Sequence, residues 1–324
     1  MSMPSQQLGD QAKPPVRPRR SVAAMKEERA AFLFLTPWFA GLLLFLVIPL
    51  GYAVYISMTD RRLISGARTH FIGLDNYVYM FTKDGLFYHS LYITAKWLVL
   101  TTPLFLAAGL VISLFLNQKY FGMNVFRTIL YIPAVVSGVA VAVLWLQLLN
   151  PEQGAVNYLL IKLGVDNPPY WLADPTWAMP AVILMGLWTV GGTAIIYLAG
   201  LQNIPPHLYE AASIDGAGAW AKFRHVTLPL LSPTIFFLTL NAVIDALLLF
   251  GPLFVLTVGR GAGGLGGPEN SLLFYMVYMY DTAFGQGFMG YGTALAIILA
   301  IIGVVLVFIM MKLERRFVFY ESEQ

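Results

Sequence analysis

The chain has 324 residues, of which 58% are hydrophobic and only 11% are charged, and its formal net charge is +3. This composition excludes a water-soluble globular domain and is typical of a polytopic membrane protein, whose helices can be apolar on every face. Cysteine is absent and there are 4 histidines, which excludes disulfides and thiolate metal sites, and the basic residues form no stripe of the kind that binds nucleic acid.

The amino-terminal segment, residues 1–29, is rich in Pro, Gln and Arg and predicts a disordered cytosolic tail. The apolar stretch that follows it is about twice as long as the hydrophobic core of a signal peptide. We therefore expect a membrane anchor that is retained rather than a leader that is cleaved.

Six stretches are apolar over at least the roughly 20 residues that a membrane-spanning helix needs. They run from Ala30 to Met58, Phe87 to Leu116, Val125 to Leu149, Thr176 to Leu201, Leu230 to Val255 and Gly290 to Met311. Five contain internal proline, which is tolerated where neighbouring helices satisfy the freed carbonyl groups. The sequence thus predicts an all-α membrane domain of six transmembrane helices, residues 30–313, followed by a cytosolic tail, residues 314–324.

The distribution of basic residues predicts the orientation of these spans. If the amino terminus is cytoplasmic, six of the 20 Lys and Arg residues lie outside, namely Arg61, Arg62, Arg68, Lys83, Lys162 and Arg260. Lys96 lies within the second span, and the remaining thirteen are cytoplasmic. Because basic residues accumulate on the cytoplasmic side of membrane proteins, we expect both termini to be cytoplasmic.

A long loop, residues 203–229, lies between the fourth and fifth spans on the predicted cytoplasmic side. Its two prolines suit the first turn of a helix over residues 205–215, and Gly216 is placed to end that helix in the left-handed conformation. A second short helix over residues 219–226 should stop before Pro229.

The first of these loop helices carries small and apolar side chains at helical spacing. Leu208, Ala211 and Ala212 fall on one side, where the alanines leave a low ridge that a groove in another protein can approach closely. The loop therefore predicts a docking surface, the alternative being an amphipathic connector that lies on the membrane.

The spacing of residues in this loop resembles the EAA loop of ABC importer permeases. The matching residues are Glu210, Ala211, Ala212, Asp215, Gly216, Leu228 and Pro229. Val226 stands where that pattern commonly has isoleucine. Further matches, at residues 71–77 and 198–205, extend the resemblance to the carbohydrate subfamily that includes permeases of the maltose and glycerol 3-phosphate type.

The resemblance implies an ABC importer type I permease fold in a bacterial or archaeal cell membrane. It implies a second homologous permease subunit, two cytosolic ATPase subunits that bind ATP and Mg, and an external solute-binding protein. The EAA residues, with Leu208, would dock the ATPase, Glu210 and Asp215 serving as polar anchors. The chain itself should be no enzyme and hold no cofactor, in agreement with the absence of a G-x-x-x-x-G-K-[ST] phosphate loop. The glycine-rich stretch 259–267 lacks that lysine and is interpreted as a flexible external loop.

Polar side chains at mid-membrane depth are costly and indicate a transport site. Asn241 and Asp245 lie one helical turn apart in the fifth span, and Asp245 is the only acid in the six apolar stretches. The fourth span offers Trp188, Thr189 and Gly192, where an indole could stack on a sugar ring and the backbone could loosen. Asp245 could instead form an interhelical hydrogen bond, and Trp188 could pack against lipid or in the core.

These features predict one half of the pathway of an ATP-driven importer for a sugar or oligosaccharide. Glycerol 3-phosphate or a polyol is the alternative substrate, although the absence of Lys and Arg at mid-span favours an uncharged sugar. A secondary transporter, which usually shows two related halves, is a further alternative. A membrane enzyme would need a polar catalytic cluster that the spans lack.

Overall fold

The computed structural model describes residues 22–64, 68–118, 120–258 and 266–318. The chain divides into two compact units, residues 1–52 and 53–324. No β-strand occurs among the described residues, so the predicted all-α class is confirmed.

The first unit contains helix α1 (Val22–Leu42), a π turn (Leu43–Val47) and the first part of α2 (Ile48–Ser57). Helix α1 begins earlier than the predicted first span, because residues 22–29 are mostly Ala, Met, Lys, Glu and Arg, which are strong helix formers. The rest of the predicted amino-terminal tail lies outside the described residues.

The second unit contains the other helices. The first group is α3 (Asp75–Thr82), α4 (Gly85–Leu116), α5 (Met123–Val135), α6 (Gly138–Leu148), α7 (Ala155–Lys162), α8 (Pro175–Trp188) and α9 (Gly191–Gln202). The loop helices are α10 (Pro206–Ile214), α11 (Ala219–Lys222) and α12 (Leu228–Leu230), with a π turn (Phe223–Thr227) before the last. The final group is α13 (Ser232–Leu247), α14 (Gly251–Thr257), α15 (Tyr275–Tyr280) and α16 (Met289–Phe317), with a 3₁₀ turn (Pro268–Asn270) and a π turn (Asp281–Gly285) beside α15.

Among the described residues, four helical stretches are long and apolar enough to cross a membrane, at Ala31–Ser57, Gly85–Leu116, Ser232–Thr257 and Met289–Arg316. The pairs α5–α6 and α8–α9 bend by 98° and 44°, and counting each pair as one span gives up to six. The third predicted span is therefore not one straight helix. Pro133 cannot donate a backbone hydrogen bond, and Ser137 takes up extended ψ at the break (φ −53°, ψ 133°).

Two predicted segments fall partly outside the description. The glycine-rich stretch is described only at Gly266 and Gly267. The predicted carboxy-terminal tail starts inside α16, which continues to Phe317, and residues 319–324 lie outside the described residues.

The segment that precedes α3 is fastened to the end of α2. The side-chain amide of Asn76 donates to the carbonyl oxygens of Ser57, at 2.8 Å, and Thr59, at 2.9 Å. The hydroxyls of Tyr77 and Ser57 lie 2.7 Å apart. Residues 71–77, which carry part of the family resemblance, thus fix the connection between the first two spans.

Residues 272–275, which lie between α14 and α16 in the chain, pack into the helix bundle. The Tyr275 backbone N–H donates to Thr94 Oγ1 on α4 at 2.9 Å, and the Tyr275 hydroxyl donates to the Leu295 carbonyl on α16 at 2.9 Å. Leu272, Leu273 and Tyr275 are buried. Residues 272–275 therefore fill the space between α4 and α16.

A buried carboxylate joins three elements at the start of α4. Asp84 caps α4 by accepting from the N–H groups of Leu86 (3.0 Å) and Phe87 (3.1 Å). Its second oxygen accepts from the Tyr278 hydroxyl of α15 at 2.5 Å and from the Tyr291 hydroxyl of α16. Burial, followed by the hydrogen bond to Asp84, raises the pKa of Tyr278, which therefore stays protonated and donates.

Replacement of Asp84 by alanine should lower the free energy of unfolding by about 3 kcal/mol, because two tyrosine hydroxyls and a helix terminus lose their acceptor. The measurement is thermal unfolding of the detergent-purified chain. Asp174→Ala is the matched control, because Asp174 also caps a helix, α8, but is bonded only within its own first turn, to Thr176. Equal stability losses in the two variants would contradict a joining role for Asp84.

Candidate functional site

The first loop helix, α10, ends as the sequence predicts. Gly216 has φ +77°, its N–H donates to the Ser213 carbonyl at 3.1 Å, and the Ala217 N–H donates to the Ala212 carbonyl at 2.8 Å. These two bonds form a Schellman motif, in which a left-handed residue closes the last helical turn. The chain therefore reverses direction at Gly216, and the carbonyl groups of Ala212 and Ser213 in the last helical turn each accept a hydrogen bond.

The second loop helix differs from the prediction, which ended it before Pro229. Helix α11 passes through the π turn into α12, and Pro229 lies inside this continuous helical segment. The Leu228 N–H donates to the Phe223 carbonyl, five residues back. The wider turn accommodates the proline ring, which would otherwise meet the carbonyl group of His225.

The two loop helices are tied together by two side-chain hydrogen bonds, one part-buried and one exposed. The hydroxyls of Tyr209 and Thr227 lie 3.0 Å apart, and Lys222 Nζ donates to Ser213 Oγ at 2.7 Å. Tyr209 also packs against a core cluster that includes the fully buried Leu231. The two loop helices therefore form one rigid element attached to the start of α13.

The outer face of the loop differs in part from the predicted ridge. Ala211 is exposed, whereas Leu208 and Ala212 are half-buried. The most exposed large apolar side chains of the loop are Ile214, which is 87% exposed, and Trp220, which is 70% exposed. The tryptophan in the loop, whose ring stacks on that of Phe223 with the centroids 5.4 Å apart, was the available sequence signal for this face.

The three remaining predicted docking residues lie within four residues of Ile214 in the sequence. Glu210, Asp215 and Gly216 are all exposed. The loop thus presents two acids beside an apolar patch, an arrangement suited to a partner with a basic rim and an apolar groove.

A cavity of about 600 Å³ lies within the helix bundle. Three of its lining residues, Val136, Thr189 and Leu249, stand at the breaks between α5 and α6, α8 and α9, and α13 and α14. Non-helical backbone at membrane depth is tolerated where it is buried in protein or lines a water-filled cavity. The convergence of three breaks therefore marks this cavity as the candidate site.

Polar groups on α13 face this cavity. Asn241 and Asp245 both line it, and both are exposed to it. The Asn241 amide nitrogen donates to the Phe237 carbonyl at 2.7 Å, which leaves the amide oxygen for another partner. Asp245 makes no hydrogen bond or ion pair to any described residue, so its carboxylate is available to a ligand.

The other predicted pathway residues separate into two groups. Thr189 lines the cavity, but Trp188 and Gly192 do not. Trp188 makes an edge contact with Trp145 at 6.2 Å between ring centroids. Successive residues on a helix point about 100° apart, which takes Trp188 away from the face that Thr189 occupies.

Aromatic side chains that the sequence analysis missed supply the apolar wall. Trp97 and Phe105 of α4 line the cavity with their ring centroids 6.1 Å apart, and Phe237 lines it from α13. A long apolar span offers no local signal for which aromatic residue faces a cavity. The site combines aromatic rings with an amide and a carboxylate.

Close contact between α9 and α5 fixes one side of the cavity. A Cβ atom at Gly191 would lie 1.7 Å from the Leu130 carbonyl oxygen, whereas one at Gly192 would lie 3.2 Å from the nearest atom, the Ala134 Cβ. Only glycine permits the approach at residue 191, beside the α8–α9 break.

The chain is similar to known transport proteins over most of its length. Residues 106–319 match the family described as binding-protein-dependent transport system inner membrane component. A probable ABC transporter permease protein of Bacillus subtilis, YesP, is 35% identical over 307 residues, which cover 94% of this chain and 97% of YesP. The arabinooligosaccharides transport system permease protein AraP of the same organism is 33% identical, covering 90% of each chain.

A solved structure is also similar over most of the chain. It is a chain of a bacterial alginate ABC transporter, in complex with an alginate pentasaccharide-bound periplasmic protein. The TM-score is 0.79 at 26% sequence identity, and the alignment covers 92% of this chain and 98% of that one.

Proposed function

Because the chain belongs to the family of binding-protein-dependent transport system inner membrane components, we propose that it forms half of the translocation pathway of an ATP-driven importer for a sugar or oligosaccharide. It is a multi-pass membrane permease of the ABC importer class, whose members are non-catalytic membrane subunits. The alternative of a secondary transporter finds no support in these similarities.

The observation that carries this proposal is the cavity at which three broken helices meet. Its amide and carboxylate, from Asn241 and Asp245, can exchange hydrogen bonds with sugar hydroxyls, and the rings of Trp97 and Phe105 can pack against the apolar face of a pyranose. A site that is apolar with a few convergent polar groups is the usual form of a small-molecule site.

The rigid loop of α10 to α12 would carry the coupling. Its exposed tip, Ile214 and Trp220 with Glu210 and Asp215, would dock in a cleft of a cytosolic ATPase subunit. Movement of that subunit would tilt α13, to which the loop is joined, and so change the cavity from outside to inside access. ATP and Mg would be bound by the two ATPase subunits, outside this chain.

The full importer would contain a second homologous permease, two ATPase subunits and an external solute-binding protein. Both termini of this chain would be cytoplasmic. This arrangement agrees with the accumulation of basic residues in the segments assigned to the cytoplasm, and it places the coupling loop on the same side as the ATPases.

The substrate can be identified from the solute-binding protein that co-purifies with the importer, by releasing its ligand and determining its mass. We expect a sugar. Uptake of that sugar in labelled form should then fall about tenfold in Asn241→Ala, because the variant loses one hydrogen bond to the ligand. The matched control is Gln147→Ala, an exposed amide in α6 that does not line the cavity.

Two results would contradict the proposal in different ways. A released ligand that is not a sugar would refute the substrate class. Uptake that falls equally in Asn241→Ala and Gln147→Ala, after normalisation to permease abundance, would place the site elsewhere.

A further inference from the structure

We propose that Asp245 makes the cavity charge-selective, so that neutral and cationic sugars enter it and sugars bearing carboxylate, sulfate or phosphate groups are disfavoured. This inference rests on the proposed function, because it names the substrate class of the same cavity. The charge selectivity proposed is that of the permease cavity, and it is separate from the selectivity of the solute-binding protein.

The charge of the cavity wall is the first observation. Among the described residues that line the cavity there is one acid, Asp245, and there is no Lys, Arg or His. The cation closest in sequence to a lining segment of α5 is Arg127, and its guanidinium donates to the Leu116 carbonyl at 2.9 Å and to Asn124 Oδ1 at 3.3 Å. Lys96, next to Trp97 on α4, does not line the cavity. The described wall therefore contains nothing that neutralises Asp245.

The second observation is the state of the carboxylate. Asp245 is exposed to the cavity and has no hydrogen-bond donor among the described residues. A structural role would place a donor beside it, as Asp84 has in Tyr278 and Tyr291. An acid at membrane depth that no protein group satisfies is costly, and a ligand or water in the cavity can satisfy it.

Besides the neutral amide of Asn241, the polar side chains that line the cavity with Asp245 include neutral hydroxyls. They belong to Thr101, Thr102, Thr189 and Thr193, and Thr102 Oγ1 is buried without a partner. A hydroxyl group can both donate and accept a hydrogen bond, so each threonine can bind a hydroxyl of a neutral sugar. They do not distinguish charge, which leaves Asp245 as the discriminating group.

The expected size of the discrimination follows from Coulomb's law. Apolar walls lower the effective dielectric constant, and a unit negative charge several ångströms from an anion changes its occupancy by about tenfold. A cation is favoured by a similar factor. Because Asp245 is the one charged group among the described lining residues, its negative charge decides that cations are favoured over anions.

The absence of cysteine from the chain allows a direct test that does not depend on knowing the solute. Thr189→Cys places a single thiol in the cavity wall. The importer, assembled with its co-expressed partners and purified in detergent, is treated with a cationic or an anionic methanethiosulfonate reagent, MTSET or MTSES. Modification of this chain is followed by intact mass.

The cation-to-anion ratio of modification rates should be about tenfold higher at Thr189→Cys than at a control thiol, and Asp245→Asn should remove most of that excess. The control is Gln202→Cys, exposed at the far end of α9, where Asp245→Asn should leave the ratio unchanged. Asp245→Glu should retain the high ratio. If Asp245→Asn does not assemble, Asp245→Ser provides a second neutral variant.

An unchanged ratio at Thr189→Cys in the neutral variants, or faster reaction there with the anionic reagent in the wild-type background, would overturn the proposal. Its failure is distinguishable from failure of the proposed function. A sugar bound by the solute-binding protein would still support the importer assignment if the charge ratio did not respond. Conversely, a responsive ratio with a ligand that is not a sugar would refute the substrate class alone.

Discussion

Gly191→Ala should strongly destabilise the permease. The added Cβ would lie 1.7 Å from the Leu130 carbonyl oxygen, and because that oxygen belongs to the backbone of α5, a whole helix must move to relieve the clash. We expect the free energy of unfolding to fall by about 3 kcal/mol, at the upper end of the cost of overpacking. The measurements are thermal unfolding in detergent and the amount of monodisperse protein recovered from membranes.

The adjacent glycine supplies the matched control. In Gly192→Ala the new Cβ meets only the Ala134 side chain, at 3.2 Å, which can shift by a few tenths of an ångström. The two variants add the same methyl group to the same helix, one residue apart. Comparable stability in both would show that α9 and α5 do not approach as closely as described.

Gly216→Val should nearly abolish ATP-driven uptake while leaving the permease in the membrane. The residue has φ +77°, a conformation that costs an ordinary residue about 1–2 kcal/mol and a β-branched residue more. A cost of this size would lower the population of the docking conformation at least tenfold. Uptake, normalised to permease abundance, is the measurement.

Gly218→Val is the control for this loop. Gly218 has φ −72° and ψ 173°, which valine adopts readily, and no atom lies within 4 Å of the position of its Cβ. At Gly216, too, no atom lies within 4 Å of the Cβ position. The two variants therefore differ in backbone conformation and not in steric crowding. Uptake within twofold of wild type in Gly216→Val would contradict the coupling role of this turn.

The helical membrane class and the left-handed turn at Gly216 could be predicted because their signals are local. Span length follows from composition within a window, and the turn follows from one glycine after a helical run. The same local reasoning ended a helix before Pro229. The structure continues the helix there through a π turn, whose i to i−5 hydrogen bond leaves room for the proline ring.

The sequence by itself determined the apolar spans, the loop and the one acid within a span. Only the tertiary structure decided which side chains meet. Asp84 and Tyr278 are 194 residues apart, and no periodicity relates them. Likewise, Trp97 faces the cavity and Trp188 does not, because a helix buried in a bundle is apolar on every side and its sequence carries no record of its rotation. The rotation of α4 is set by its packing against α9 and α13, and Gly191 in turn permits α9 to approach α5 closely.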